Sequence, residues 1–156
     1  MSKVKEQTPR GVRNCNPLNI RLTKNAKWAG LAKEQTDGAF CQFASMTYGW
    51  RAAFILLRKY YFTYKLRTIR SIISRWAPPE DNNPTGIYIE SVVSTLQNVN
   101  KKFTADSQLP DPDLAPFVWS ALVGGMAFVE NGWQLNRYSS MDEILIGWHF
   151  SQLARR

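Results

Sequence analysis

One stretch of the chain has only one kind of place to go. From Leu114 to Val129 sixteen residues pass without a charge, and Glu130 follows at once, leading into Asn131-Gly132-Trp133. Crossing a bilayer takes about 20 apolar residues. The run is shorter than that and predicts a helix buried inside a soluble domain. Pro112 and Pro116 suit a first helical turn, where the missing N–H costs little, so the helix is expected to begin near Pro112 or Asp113. Gly124-Gly125 sits inside it, at about 1 kcal/mol per residue against Ala, which calls for close approach by a neighbouring element. A carboxylate at the end of such a helix loses water and lies at the negative end of the helix dipole. Both effects favour the neutral acid, the form from which a general acid gives its proton. The plainer expectation places Glu130 in solvent just past the helix end.

The rest of the chain reads as helices around that one. With 156 residues a single domain with a real core is expected. Residues 1–10 are polar and charged and read as a flexible basic arm, leaving 11–156 as the domain. Residues 11–45 are rich in Asn, Gly and short apolar pieces, and predict loops with short strands at Leu18–Leu22 and Phe40–Phe43. From Tyr48 to Leu66 the period becomes 3.6, with Trp50, Ala53, Phe54, Leu57, Tyr61 and Tyr64 on one face. Thr68 caps a second helix carrying Ile69, Ile72, Ile73 and Trp76, ended by Pro78 and Pro79. A third helix spans Thr85 to Gln97, and Ser140-x-x-Glu143 forms a capping box for the last. The fold class is therefore mainly α, or α+β with a small β-containing lobe near the N-terminus.

Composition narrows the chemistry. The only histidine, His149, lies in an amphipathic helix beside Trp148 and Phe150, where packing or surface exposure is the simpler role. Nucleophilic triads that need a histidine would have to use it. Cys15 and Cys41 make no disulfide framework, no zinc-ligand spacing occurs, and there is no phosphate-binding glycine loop. No metal and no cofactor is expected. Twelve carboxylates remain, so any catalysis is expected to be carboxylate chemistry. The net charge of +8 favours a polyanionic partner, although the basic residues are scattered. Six Trp and six Tyr suit grooves that bind sugar rings as well as they suit a bulky core. No run is long and apolar enough to span a membrane, and the N-terminus lacks a signal-peptide stretch.

Arg10-Gly11-Val12-Arg13-Asn14-Cys15-Asn16-Pro17-Leu18-Asn19-Ile20-Arg21 resembles the R-G-I-R-N-N-N-P-x-N-I-R opening of a phage and prophage family of lysozyme-like and virion structural proteins. The likeness continues through Trp28-Ala29-Gly30, Phe40-x-x-Phe43, Gly49-Trp50-Arg51-Ala52, the segment from Ile72 to Asn83 with Arg75-Trp76-Ala77-Pro78-Pro79, then Tyr88, and ends with Met126 to Gly132. The family has Asn where this chain has Cys15. A second likeness is to glucosaminidase-type peptidoglycan hydrolases of the lysozyme superfamily. Their helix ending in E-S-G-W-G is similar to Glu130-Asn131-Gly132-Trp133, and their T-D-P-x-Y is similar to the segment ending in Tyr88. Here the glutamate helix comes last instead of first, the order that a circular permutation gives; such rearrangement is tolerated where termini lie close together.

The resemblance implies a lysozyme-like single domain that cleaves peptidoglycan as a lytic transglycosylase, muramidase or glucosaminidase, with Glu130 as general acid/base and Tyr88 beside the reacting centre. Asn16, Asn19, Trp28, Phe43, Trp133 and Glu80 are the expected substrate-binding residues, and peptidoglycan glycan strands the expected partner. A two-carboxylate hydrolase would draw its second group from Asp37, Glu34, Glu80 or Asp81, at a separation that sets inversion or retention. The single-acid transglycosylase scheme needs none of these. The implied location is synthesis in the bacterial cytoplasm, then action at the cell wall after phage-type release or presence in the virion. The rival expectation is a non-enzymatic virion or mobile-element protein with the lysozyme-like shape, whose partners would be virion or secretion-machinery components, and in which Glu130 hydrogen-bonds the N-terminal segment through Asn16 or Asn19. A basic nucleic-acid binder using Arg58, Lys59, Lys65, Arg67 and Arg70 ranks third.

Overall fold

The computed structural model describes residues 7–154. Six α-helices follow in order: α1 (Arg10–Arg13), α2 (Met46–Phe62), α3 (Ile69–Trp76), α4 (Thr85–Gln97), α5 (Pro116–Asn131) and α6 (Met141–Leu153). Short 3₁₀ turns sit at Pro79–Asp81 and Trp133–Arg137. Most of the basic arm, residues 1–6, lies outside the described residues, and Arg10 already belongs to α1.

The charge-free run forms α5, the helix against which α1, α2, α4 and α6 pack. Trp119, Leu122, Val123 and Met126 bury almost completely. The start is later than Pro112, because residues 110–115 are used otherwise. Trp119 Nε1 donates to the Pro110 carbonyl and Trp148 Nε1 to the Pro112 carbonyl. Asp111 folds back to accept from the Asp113 N–H. Of the glycine pair only Gly125 is crowded by α4, where a Cβ would sit 3.1 Å from Thr95 Oγ1; one at Gly124 would meet Ile144 of α6 at an ordinary 3.6 Å. Gly147 does the same service between α6 and α2, where a Cβ would collide with Trp50. Those two helices share the most extensive helix contact in the molecule.

Helix ends follow local chemistry. Thr68 Oγ1 accepts from the Ser71 N–H and Ser71 Oγ accepts from the Thr68 N–H, a capping box on α3. At α6 only half of the expected box forms. Ser140 accepts from the Glu143 N–H, but the Glu143 carboxylate accepts instead from Ser139 Oγ. Tyr64 falls beyond the end of α2 and is exposed.

Residues 14–45 correct the expected β-containing lobe. No strand ladder forms among the described residues; antiparallel pairing is limited to isolated bridges Arg21–Phe40 and Leu31–Phe43. The reason lies in Asn16, which is fully buried. Its Nδ2 donates to the Ile20 and Cys41 carbonyls and its Oδ1 accepts from the Ile20 N–H. A side-chain amide thus occupies backbone groups that a ladder would use. Cys15 and Asn19 take φ of 50° and 52°, the left-handed region that Asn enters more readily than most residues. That gives a backbone reason for Asn at the position Cys15 occupies.

Candidate active-site cleft

The last turn of α5 delivers two polar side chains to the N-terminal lobe. Asn131 is buried and donates to the Pro17 and Ala127 carbonyls. Gly11 packs directly on its Oδ1, where any Cβ would collide. Glu130, half-buried, points into a cleft of about 470 Å³. One wall of the cleft is the stretch Leu18 to Arg21 with Phe40; Trp76, Pro78, Asp81 and Asn83 come from α3 and its exit, and Leu56 and Tyr60 from α2.

Donors from three elements converge on the Glu130 carboxylate. Asn19 Nδ2 donates to Oε2 at 3.2 Å. Trp76 Nε1 and Tyr88 OH each donate to Oε1 at 3.3 Å. Tyr88 has one proton and divides it between Glu130 and the Met126 carbonyl, also 3.3 Å away. Burial, together with the neighbouring Glu130 charge, pushes the Tyr88 phenol well above its ordinary value. No cation lies within salt-bridge distance of Glu130 among the described residues. The arrangement holds a carboxylate in place with neutral donors while leaving one side open to the cleft. A group so placed can exchange a proton with a ligand or can serve as a structural knot; the contacts suit both.

The other residues singled out in the sequence are dispersed. Asn16 is a buried tie within the lobe. Phe43 is core, and Trp28 packs against the core at half burial. Trp133 is exposed beneath Arg137, whose Cζ lies 4.5 Å from the ring centroid. Glu80 is exposed on its 3₁₀ turn. None of these five lines the cleft. Of the possible second carboxylates, Asp81 lines it with Glu130. Asp37 is engaged with Arg10, Asn14 and the backbone. Trp76 is the Glu130 donor that sequence reasoning missed. It stands in the Arg75-Trp76-Ala77-Pro78-Pro79 segment of the resemblance, but nothing local marks its indole N–H as a partner for a residue 54 positions away.

Among the described residues no cluster of His, Cys, Asp and Glu could hold a metal ion, and no helix is long and apolar enough to cross a membrane. Cys15 and Cys41 are free thiols. The described residues thus form a mainly helical protein in which a carboxylate with no cation in salt-bridge contact lines a polar cleft. The chain is 36% identical over 146 residues to Protein P5 of Pseudoalteromonas phage PM2, covering 92% of this chain and 82% of that protein. It belongs to the family of that phage protein. No family model matches the chain.

Proposed function

We propose that the protein is a phage or prophage particle component with a lysozyme-like, permuted body, in which the Glu130 cleft meets the glycan of the host wall. Kinship with a phage protein supports the first half. In its simplest form this role is non-enzymatic. Glu130 then ties α5 to Asn19, α3 and α4, and the hydrogen bond from Asn19 favours that form.

A second reading is catalytic, and one observation favours it. Among the described residues the Glu130 carboxylate borders the cleft with no arginine or lysine in salt-bridge contact, so no fixed cation stands between it and a glycosidic oxygen. A lytic transglycosylase scheme needs this single acid alone, whereas a hydrolytic one would draw its second carboxylate from Asp81, which lines the same cleft. In that scheme Tyr88 steadies Oε1, and Asn83 and Asn19 meet sugar hydroxyls.

Purified wild type and Glu130→Gln, incubated with peptidoglycan sacculi, separate the two. Muropeptide release by wild type that falls at least about 100-fold in the variant supports the catalytic reading. Release that survives the substitution removes Glu130 from the chemistry. No release from any sacculus type leaves the structural role.

A further inference from the structure

We infer that the cleft selects a carboxylate-bearing glycan over a neutral one, and that Arg21 reads the carboxylate; this rests on the reading of the cleft as a glycan site. Arg21 lines the cleft together with Glu130. Its backbone is bridged to Phe40, and its guanidinium lies over that ring, with Cζ 5.2 Å from the centroid. Arg10 lies over the same ring at 4.5 Å but is committed to Asp37 through two hydrogen bonds. Arg21 makes no ion pair among the described residues. On α3, Arg75 lies over Tyr64 at 4.0 Å and over Tyr60, a cleft residue, at 5.3 Å, and among the described residues it too makes no ion pair.

Among the described residues the charged groups that line the cleft, Arg21, Asp81 and Glu130, make no ion pair with one another. Glu130 is satisfied by neutral donors, and Asp81 is within salt-bridge distance of neither Arg21 nor Arg75. A guanidinium presents a planar fork of donors that fits a carboxylate in two-point contact. Stacking on Phe40 restrains the Arg21 fork before any ligand arrives, which lowers the ordering cost of binding. In bacterial wall glycan stripped of its stem peptides the carboxylate is the lactyl group on alternate sugars; where the peptide is still attached that group is a neutral amide, which the fork cannot hold in the same way. A polymer of N-acetylglucosamine alone offers hydroxyls and amides but nothing for the fork to hold.

The test uses isothermal calorimetry on the full chain with three tetrasaccharides. One alternates N-acetylglucosamine with N-acetylmuramic acid bearing free lactyl carboxylates. The second is the same compound with those carboxylates converted to methylamides, and the third is chitotetraose. The wild type is expected to bind the free acid about tenfold more tightly than either neutral ligand, equivalent to about 1.4 kcal/mol. Arg21→Gln is expected to bring that ratio to about one, and Arg21→Lys, which keeps charge without the fork, to an intermediate value. Equal binding of all three by wild type overturns the inference and leaves the glycan site standing. A preference that survives in Arg21→Gln moves the reader elsewhere and likewise overturns it. Binding of none of the three removes the glycan reading itself, and the inference with it.

Discussion

Asp37 and Glu130 both tie down the N-terminal lobe, one from inside it and one from the end of α5, and their surroundings differ in kind. Asp37 accepts from Arg10 at 2.6 and 2.8 Å, from Asn14 Nδ2 at 2.9 Å and from the Ala39 and Phe40 N–H groups. The Arg10 guanidinium first, and the Asn14 amide after it, hold this carboxyl far below the usual carboxylate range. Among the described residues Glu130 has no such cation and meets three neutral donors. A carboxylate locked to a guanidinium is ionised at any ordinary pH and works as scaffold. One held by neutral donors beside open space keeps a way to respond to a ligand.

The contrast breaks or holds most visibly on removal of each charge. Every group bonded to the Asp37 carboxylate is a donor, and the one that could turn over, Asn14, keeps its Oδ1 for Gln42 Nε2, so the amide nitrogen of Asp37→Asn meets donors whichever way it points. The site at Glu130 differs because Asn19 Oδ1 is buried and without a partner. In Glu130→Gln the new carbonyl can keep Trp76 and Tyr88, while Asn19 turns over and presents Oδ1 to the new amide. Urea unfolding should place Glu130→Gln within about 1 kcal/mol of wild type, with Asp37→Asn clearly the less stable variant. A Glu130→Gln variant less stable than Asp37→Asn would erase the distinction.

Acid sharpens it. The Asp37 carboxyl is depressed in the folded state, so its stabilising effect is present above the unfolded value near 3.9 and is lost as pH falls through the lower folded value. The stability gap between wild type and Asp37→Asn at pH 7 should therefore narrow as pH is lowered below about 4. Unfolding curves at a series of pH values check this. A gap that stays constant down to pH 2 would mean that Arg10 and Asn14 do not act through charge.

How much of this the sequence carries depends on distance along the chain. The α5 helix is legible because sixteen uncharged residues admit few other fates, and the α3 cap because Thr68 and Ser71 lie three residues apart. Between the short strands expected at Leu18–Leu22 and Phe40–Phe43 the pairing shrinks to the single Arg21–Phe40 bridge, because apolar residues look the same in sequence whether their backbone pairs with a strand or with the Asn16 amide. The cleft is half-legible. Glu130 stands out by its position, but Trp76 and Asn19 reach it across 54 and 111 positions, and no local pattern encodes such a meeting. Trp28, Phe43 and Trp133 attract attention as aromatics, yet bulk in the core and at the surface explains where they lie.

The subtlest consequence of a cation-free Glu130 falls on its neighbour. The Tyr88 phenol is raised by burial first and then by the Glu130 charge. A raised folded value means that the stability it contributes is complete below the unfolded value near 10 and drains away as pH rises above it, because only the unfolded chain then gives up the proton. Alkaline difference absorbance should show a phenol that ionises only when the chain unfolds. In Tyr88→Phe that late step should shrink to what the Tyr60 phenol, also raised by burial, contributes, and the fall in stability above about pH 10 should become shallower. Glu130→Gln should ease the titration without abolishing it, since burial, the larger cause, stays. If all of the phenols of the wild type ionise reversibly in the folded state, Tyr88 is not sealed against Glu130, and the neutral-donor cluster is looser than its distances imply.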